Sequence, residues 1–258
     1  METFTKYQLT SAYRNLPINV FISPGNKDTT TALVLHPGAF EPAWGDSHRY
    51  KQILLWLQRK LSFKPHIVTY QTSRIQKPPP RLPIDKNYWK EMEKYWQEIF
   101  NGKTFDQELD DVRKIFNFLL SRKIKEIHSL GFSFGGTLAM ILTSEFPQVT
   151  KVCTLGSAIS TKRDYLPVLT GYPDKPWLLK RISRFPHYIN LYQGFEDTVV
   201  PFHDVEEIFC AVQKAKRVSV HRISKADHMF SGKNKYGLSS ANTLLPEIKA
   251  FFELNINE

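Results

Sequence analysis

The 258-residue chain is predicted to fold as a single α/β domain, with a mostly parallel central sheet of about eight strands and helices on both faces. Three observations carry this prediction. Short apolar runs of strand length alternate with longer segments of helical periodicity, the pattern of a parallel sheet packed between helices. Runs such as residues 31–35 are apolar at successive positions, as in strands buried on both faces. The length suits one large domain, and a chain of this size buries roughly three-quarters of its unfolded surface, enough for a core without staples. A hydrophobic fraction of 41% with 23% charged residues excludes disordered and fibrous classes.

The elements follow in order. Residues 4–9 and 18–22 read as a hairpin split by Asn15, Leu16 and Pro17 and closed by Ser23-Pro24-Gly25-Asn26. A buried strand over 31–35 ends in His36-Pro37-Gly38. Apolar Tyr50, Ile53, Leu54, Leu57 and Leu61 predict a helix over 47–61, and 66–70 reads as the next strand. Residues 71–102 break the rhythm as an insertion. Lys77-Pro78-Pro79-Pro80-Arg81-Leu82-Pro83 suits neither helix nor central strand. Tyr88, Trp89, Met92, Tyr95, Trp96, Ile99 and Phe100 then form an aromatic stripe at helical spacing. It reads as a helix packed on the core, with a wall over a binding pocket as the sharper alternative. Alternation resumes with a helix over 109–120, a strand over 126–130, a helix over 135–146 and a strand over 149–155. A proline-punctuated, basic excursion at 160–186 reads as a short cap. A strand at 188–192, a helix at 205–212, a strand at 218–223 and a helix at 243–252 complete the chain.

The net charge of +10 and pI near 9.5 invite a nucleic-acid reading. The basic residues are scattered, with modest clusters at 74–81 and 175–184, and no nucleic-acid motif accompanies them. A solvated basic surface is the expectation, with attraction of an anionic substrate as the alternative. Cys153 and Cys210 show no CxxC spacing and lie in apolar runs, so both are expected to be buried structural thiols. No His or carboxylate spacing suggests a metal site. The N-terminal residues lack a signal-peptide pattern, no stretch approaches 18 apolar residues, and no Asn-x-Ser/Thr sequon occurs. A soluble, cytoplasmic protein without a membrane span is expected.

The informative segment is Gly131-Phe132-Ser133-Phe134-Gly135-Gly136, between a predicted strand and a predicted helix. Gly-x-Ser-x-Gly in that context is a nucleophile elbow, a turn tight enough to force the serine above the sheet. A phosphate loop is excluded because no Lys-Ser/Thr follows. Asp197, in Gly194-Phe195-Glu196-Asp197-Thr198-Val199-Val200-Pro201, and His228, in Ala226-Asp227-His228-Met229-Phe230, each follow a predicted strand. The carboxyl ends of parallel strands share one edge of a sheet, so the three side chains can converge there.

These segments resemble the α/β-hydrolase superfamily over nearly the whole chain. The resemblance implies Ser133 as nucleophile, His228 as general base and then acid, and Asp197 as the group orienting the imidazole. It implies an oxyanion hole formed by the Phe134 N–H and a donor from the loop His36-Pro37-Gly38-Ala39-Phe40. Pro37 replaces the more usual glycine there and has no N–H to give, leaving Gly38 and Ala39 as alternatives. His36 is expected to organise that loop. His66, His128, His187 and His221 are expected to be packed or surface residues, and His48 and His203 open helices.

The function implied is hydrolysis of a carboxylic ester through an acyl-enzyme, without a cofactor, on a small-molecule acyl substrate. Acyl thioesterase, peptidase and a non-catalytic binding module on the same fold are the alternatives. Dehalogenase and epoxide hydrolase are disfavoured, since they need a carboxylate where this chain has Ser133. In the cap, Tyr165, Leu166, Leu169, Tyr172, Trp177 and Leu178 are expected to roof an acyl pocket. Lys162, Arg163, Lys175, Lys180, Arg181 and Arg184 could there meet the phosphates of a carrier.

Overall fold

The computed structural model describes residues 4–39, 49–75, 77, 88–159, 169–230 and 244–254. Eight strands form one sheet: β1 (Thr5–Thr10), β2 (Pro17–Ser23), β3 (Thr31–His36), β4 (His66–Gln71), β5 (Glu126–Phe132), β6 (Val149–Leu155), β7 (Tyr188–Gly194) and β8 (Arg217–Ile223). Their spatial order is β1-β2-β4-β3-β5-β6-β7-β8. The expected hairpin forms, with Thr5 opposite Ile22 and Thr10 opposite Pro17. Arg14 and Asn15 take positive φ in its turn. β2 is antiparallel to β4, and the six strands β3 through β8 run parallel. The carboxyl ends of those six strands therefore share one edge.

Among the described residues seven helices cover the sheet: α1 (Arg49–Lys60), α2 (Tyr88–Phe100), α3 (Phe105–Ser121), α4 (Phe134–Leu142), α5 (Lys175–Ile182), α6 (Phe202–Ala211) and α7 (Leu244–Phe252). They divide into two layers because the parallel strands are apolar on both faces. Leu33, Leu35, Ile67, Leu130, Phe132 and Leu155 pack with α1 and α7. Ala32, Val34, Val68, Ile127, Val152 and Leu191 pack with α2 to α6. Alternation along β3 thus sends successive side chains into opposite cores. α3 begins with a capping box, in which Thr104 accepts from the Gln107 N–H and the Gln107 side chain accepts from the Thr104 N–H.

The aromatic stripe of α2 packs as a core helix, with Trp96, Ile99 and Phe100 buried. The side chains of Tyr88, Trp89 and Met92, and residues 78–87, lie outside the described residues, as do His48 and 160–168 with Lys162, Arg163, Tyr165 and Leu166. The described part of the predicted cap is a turn followed by α5, which packs against α4 and α6. Asp174 caps α5 by accepting from the Trp177 N–H.

One expectation is corrected. Cys153 is buried, but Cys210 is exposed. α6 buries Val205 and Ile208, and Cys210, two residues beyond Ile208, falls on the outward side, where its apolar sequence neighbours do not cover it.

Beyond the carboxyl end of β4 lies a buried ionic cluster. Lys103, fully buried, donates to Glu108 Oε2 (2.6 Å), Asp111 Oδ2 (2.6 Å) and the Ser73 carbonyl (2.8 Å). Ser11 and Ser73 donate to the two Asp111 oxygens, and Thr72 donates to Glu108 Oε1 at 2.8 Å. Arg74, expected on a solvated surface, is buried with its guanidinium over Phe100. No described helix is long and apolar enough to cross a membrane.

Candidate active site

Ser133 follows β5 on the turn into α4, with φ 49° and ψ −123°. Positive φ is costly for a residue with a Cβ. The turn holds because Ser133 N–H donates to the Leu155 carbonyl (2.8 Å) and its own carbonyl accepts from the Gly136 N–H (3.0 Å). Gly131 and Gly135 are not themselves in the left-handed region; they are there for space. A Cβ on Gly135 would fall 2.3 Å from the His36 carbonyl oxygen, and one on Gly131 would fall 2.3 Å from Gly136 Cα. The strain of the elbow therefore sits on the serine alone.

The three residues expected from the sequence come together. His228 Nε2 lies 3.1 Å from Ser133 Oγ, and His228 Nδ1 lies 2.9 Å from Asp197 Oδ2. With the carboxylate accepting from Nδ1–H, Nε2 is left to accept from the serine hydroxyl. Asp197 Oδ1 accepts from the N–H groups of Val199 (2.7 Å) and Val200 (2.8 Å). Burial raises the Asp197 pKa, but the hydrogen bond and charge of His228, with those two amides, outweigh it and leave the value below normal. Glu196 and Asp227, the neighbouring acids, do not make this contact with the imidazole.

Two residues escaped sequence reasoning. Gln193 donates from Nε2 to Asp197 Oδ2 (2.8 Å) and to the Val200 carbonyl (2.9 Å), fixing the acid loop. The available signal was a polar side chain in a largely apolar strand, shared with Asn190. Gly156, at φ +60°, lies against the dyad: a Cβ there would sit 3.2 Å from His228 Nδ1 and 3.3 Å from Asp197 Oδ2.

Across the elbow, His36 ends β3 fully buried. Its Nδ1 pairs with the Tyr70 hydroxyl (2.8 Å) and its Nε2 with Ser129 Oγ (3.2 Å). Burial pushes its pKa down to about 3, so the ring is neutral and acts as a bridge between β3, β4 and β5. The Gly38 N–H donates to the Tyr50 hydroxyl at 3.1 Å. Among the described residues, none accepts from the N–H groups of Phe134 and Ala39. Phe40 lies outside the described residues.

Phe134 adjoins an aromatic group. Phe105 meets Phe134, Tyr172 and Trp177 edge-on, and Phe134 lies 6.1 Å from Tyr172. Leu169 and Leu178 are buried in the core beneath. The basic residues of this region are partly committed: Lys175 Nζ lies 2.5 Å from Glu207, and Arg181 pairs with Glu145 at 2.6 Å while covering the Trp177 ring. His128 is buried against Glu126, and His203 on α6 faces Glu206 and Glu207. Among the described residues no group of three or more His, Cys, Asp or Glu could hold a metal.

The sheet order, its two helical layers and the serine turn after β5 define an α/β hydrolase. The chain belongs to the dienelactone hydrolase family, whose profile matches residues 61–253, and it is a hydrolase. Solved structures agree over nearly the full length. A candidate dienelactone hydrolase from Klebsiella pneumoniae superposes with a TM-score of 0.67 at 15% identity, covering 98% of this chain and 100% of that one. The esterase domain of a Rhodothermus marinus protein gives 0.63 at 13% identity, covering 96% and 99%. A structure from work on the metagenome-derived lipolytic enzymes LipS and LipT gives 0.60 at 15% identity, covering 90% and 96%. At these identities the likeness is one of fold. No curated protein matches the chain.

Proposed function

We propose that this protein is a serine hydrolase that cleaves a carboxylic ester through an acyl-enzyme, with Ser133, His228 and Asp197 as its triad. The observation that carries this reading is the continuous hydrogen-bonded line from Ser133 Oγ through the imidazole to Asp197 Oδ2. Family membership makes the chain a hydrolase; the line of three groups supports the covalent route.

A serine hydroxyl is a weak nucleophile at neutral pH, and an imidazole within 3.1 Å can take its proton as attack proceeds. Oγ bonds to the ester carbonyl carbon, and the carbonyl oxygen becomes an oxyanion. The Phe134 N–H at the start of α4 and an N–H from the Gly38–Ala39 turn face this developing charge, and donors of this kind contribute about 3–4 kcal/mol each. His228 then gives its proton to the departing alkoxide as the C–O bond breaks, leaving an acyl-serine. Water, deprotonated by His228, attacks that ester, and the carboxylic acid leaves with Oγ reprotonated. Asp197, held by three neutral donors besides His228, stays ionised and supports the imidazolium.

The test is intact-protein mass after exposure to a fluorophosphonate, followed by a panel of nitrophenyl esters, acyl-CoA thioesters and peptide amides. Labelling of the wild type, absent in Ser133→Ala and His228→Ala, with ester turnover exceeding thioester and amide turnover, is the expected result. A folded wild type that takes no label would move the chain to the binding-module reading.

A further inference from the structure

The loop after β3 offers two amides to an oxyanion, and one is already engaged. An N–H has one proton, and that of Gly38 points at the Tyr50 hydroxyl at 3.1 Å. The ring of Tyr50 is fully buried and lies 4.8 Å from that of Phe132, and Phe132 immediately precedes the nucleophile. One side chain at the start of α1 thus touches both halves of the hole: its ring braces the elbow strand, and its hydroxyl holds the loop. On the other side of the loop, the His36 and Pro37 carbonyls press against Gly135, with no room for a Cβ. A phenyl ring would serve the packing equally; the hydroxyl is what sits on the Gly38 amide.

We propose that Tyr50 is a positioning residue that sets the register of the oxyanion loop, so that Ala39 and not Gly38 supplies the second donor. This rests on the serine-hydrolase reading. Tyr50 engages the Gly38 N–H, whereas Ala39 N–H, like Phe134 N–H, has no acceptor among the described residues. With Tyr50→Phe the Gly38 N–H is left buried without this acceptor, and the loop is free to turn it toward solvent or the site.

An alkyl boronic acid tests this. Ser133 Oγ adds to boron, the hydroxyl proton passes to His228, and the tetrahedral anion places a boron-bound oxygen in the hole. For Tyr50→Phe the expected result is a fall of about tenfold in both kcat and boronate affinity, with KM changed less than twofold. The fall is smaller than the 10²–10³ for outright loss of a donor. Ala39→Pro, which deletes the proposed donor, is expected to weaken boronate binding about 10²-fold, and adding Tyr50→Phe to it should weaken it less than twofold further. A folded Tyr50→Phe with wild-type boronate affinity, or losses that multiply fully in the double variant, overturns the proposal. If Tyr50→Phe does not fold, Ala39→Pro decides: wild-type boronate affinity there overturns the register. A wild type that neither takes fluorophosphonate nor binds boronate refutes the hydrolase mechanism itself, which separates that failure from this one.

Discussion

Ser133→Gly is expected to make the protein more stable than Ser133→Ala while both abolish turnover. Both variants lose the 3.1 Å contact with His228, so that term cancels between them. What differs is the backbone at φ 49° and ψ −123°. A residue with a Cβ in such a region costs about 1–3 kcal/mol, and glycine removes that cost. Glycine also widens the unfolded ensemble, which offsets about 0.4–1 kcal/mol. The site is only partly buried, so the alanine methyl has limited burial to lose. The net is about 1 kcal/mol in favour of glycine, or about 2–4 °C in Tm for a domain near this size. Paired urea and thermal melts of the two variants measure it. Equal stability, or a less stable glycine variant, would refute the claim that the elbow stores its strain on Ser133.

Lys103→Met is expected to destabilise by about 3–5 kcal/mol in urea melts, because it removes the ammonium that pairs with both buried carboxylates, Glu108 and Asp111, and leaves Glu108 the more distant Arg74 guanidinium at 3.8 Å. Arg113→Ala, which breaks the half-buried pairs with Asp110 and Glu145, should cost no more than about 1 kcal/mol; similar losses would contradict the distinction. His36 gives a pH dependence. Its folded pKa of about 3 lies below the ordinary 6.5, so below pH 6.5 the unfolded chain binds a proton that the folded chain refuses. Stability should therefore fall on acidification from pH 6.5 toward about 3, with a contribution near 1.4 kcal/mol per pH unit. His36→Gln should show a shallower slope over that window, and an unchanged slope would exclude His36 as its source.

Much of the site was legible in the sequence because the elbow constrains itself locally. Its glycines stand within two or three residues of Ser133, and the β5 strand before it and α4 after it announce themselves by period. Asp197 and His228 were reachable because each follows a strand, and parallel strands bring their carboxyl ends to one edge. Gln193 was out of reach, since nothing in a lone glutamine tells that its amide will face a carboxylate four residues on. The burial of Cys210 was misjudged for a related reason: an apolar neighbourhood along the chain says which helix packs, not which side of it is turned outward.

The sequence by itself determined the alternation of strands and helices, the turn carrying Ser133 and the order Ser133, Asp197, His228, since each is written in residues that are neighbours along the chain. Only the tertiary structure decided that β4 lies between β2 and β3, that Lys103 is buried among Ser11, Ser73, Glu108 and Asp111, and that the Tyr50 hydroxyl holds the Gly38 amide. The physical reason is range. Period, turn chemistry and glycine spacing act over a few residues, whereas a buried lysine's partners and a loop's register are fixed by side chains from elements that meet only once the sheet has assembled.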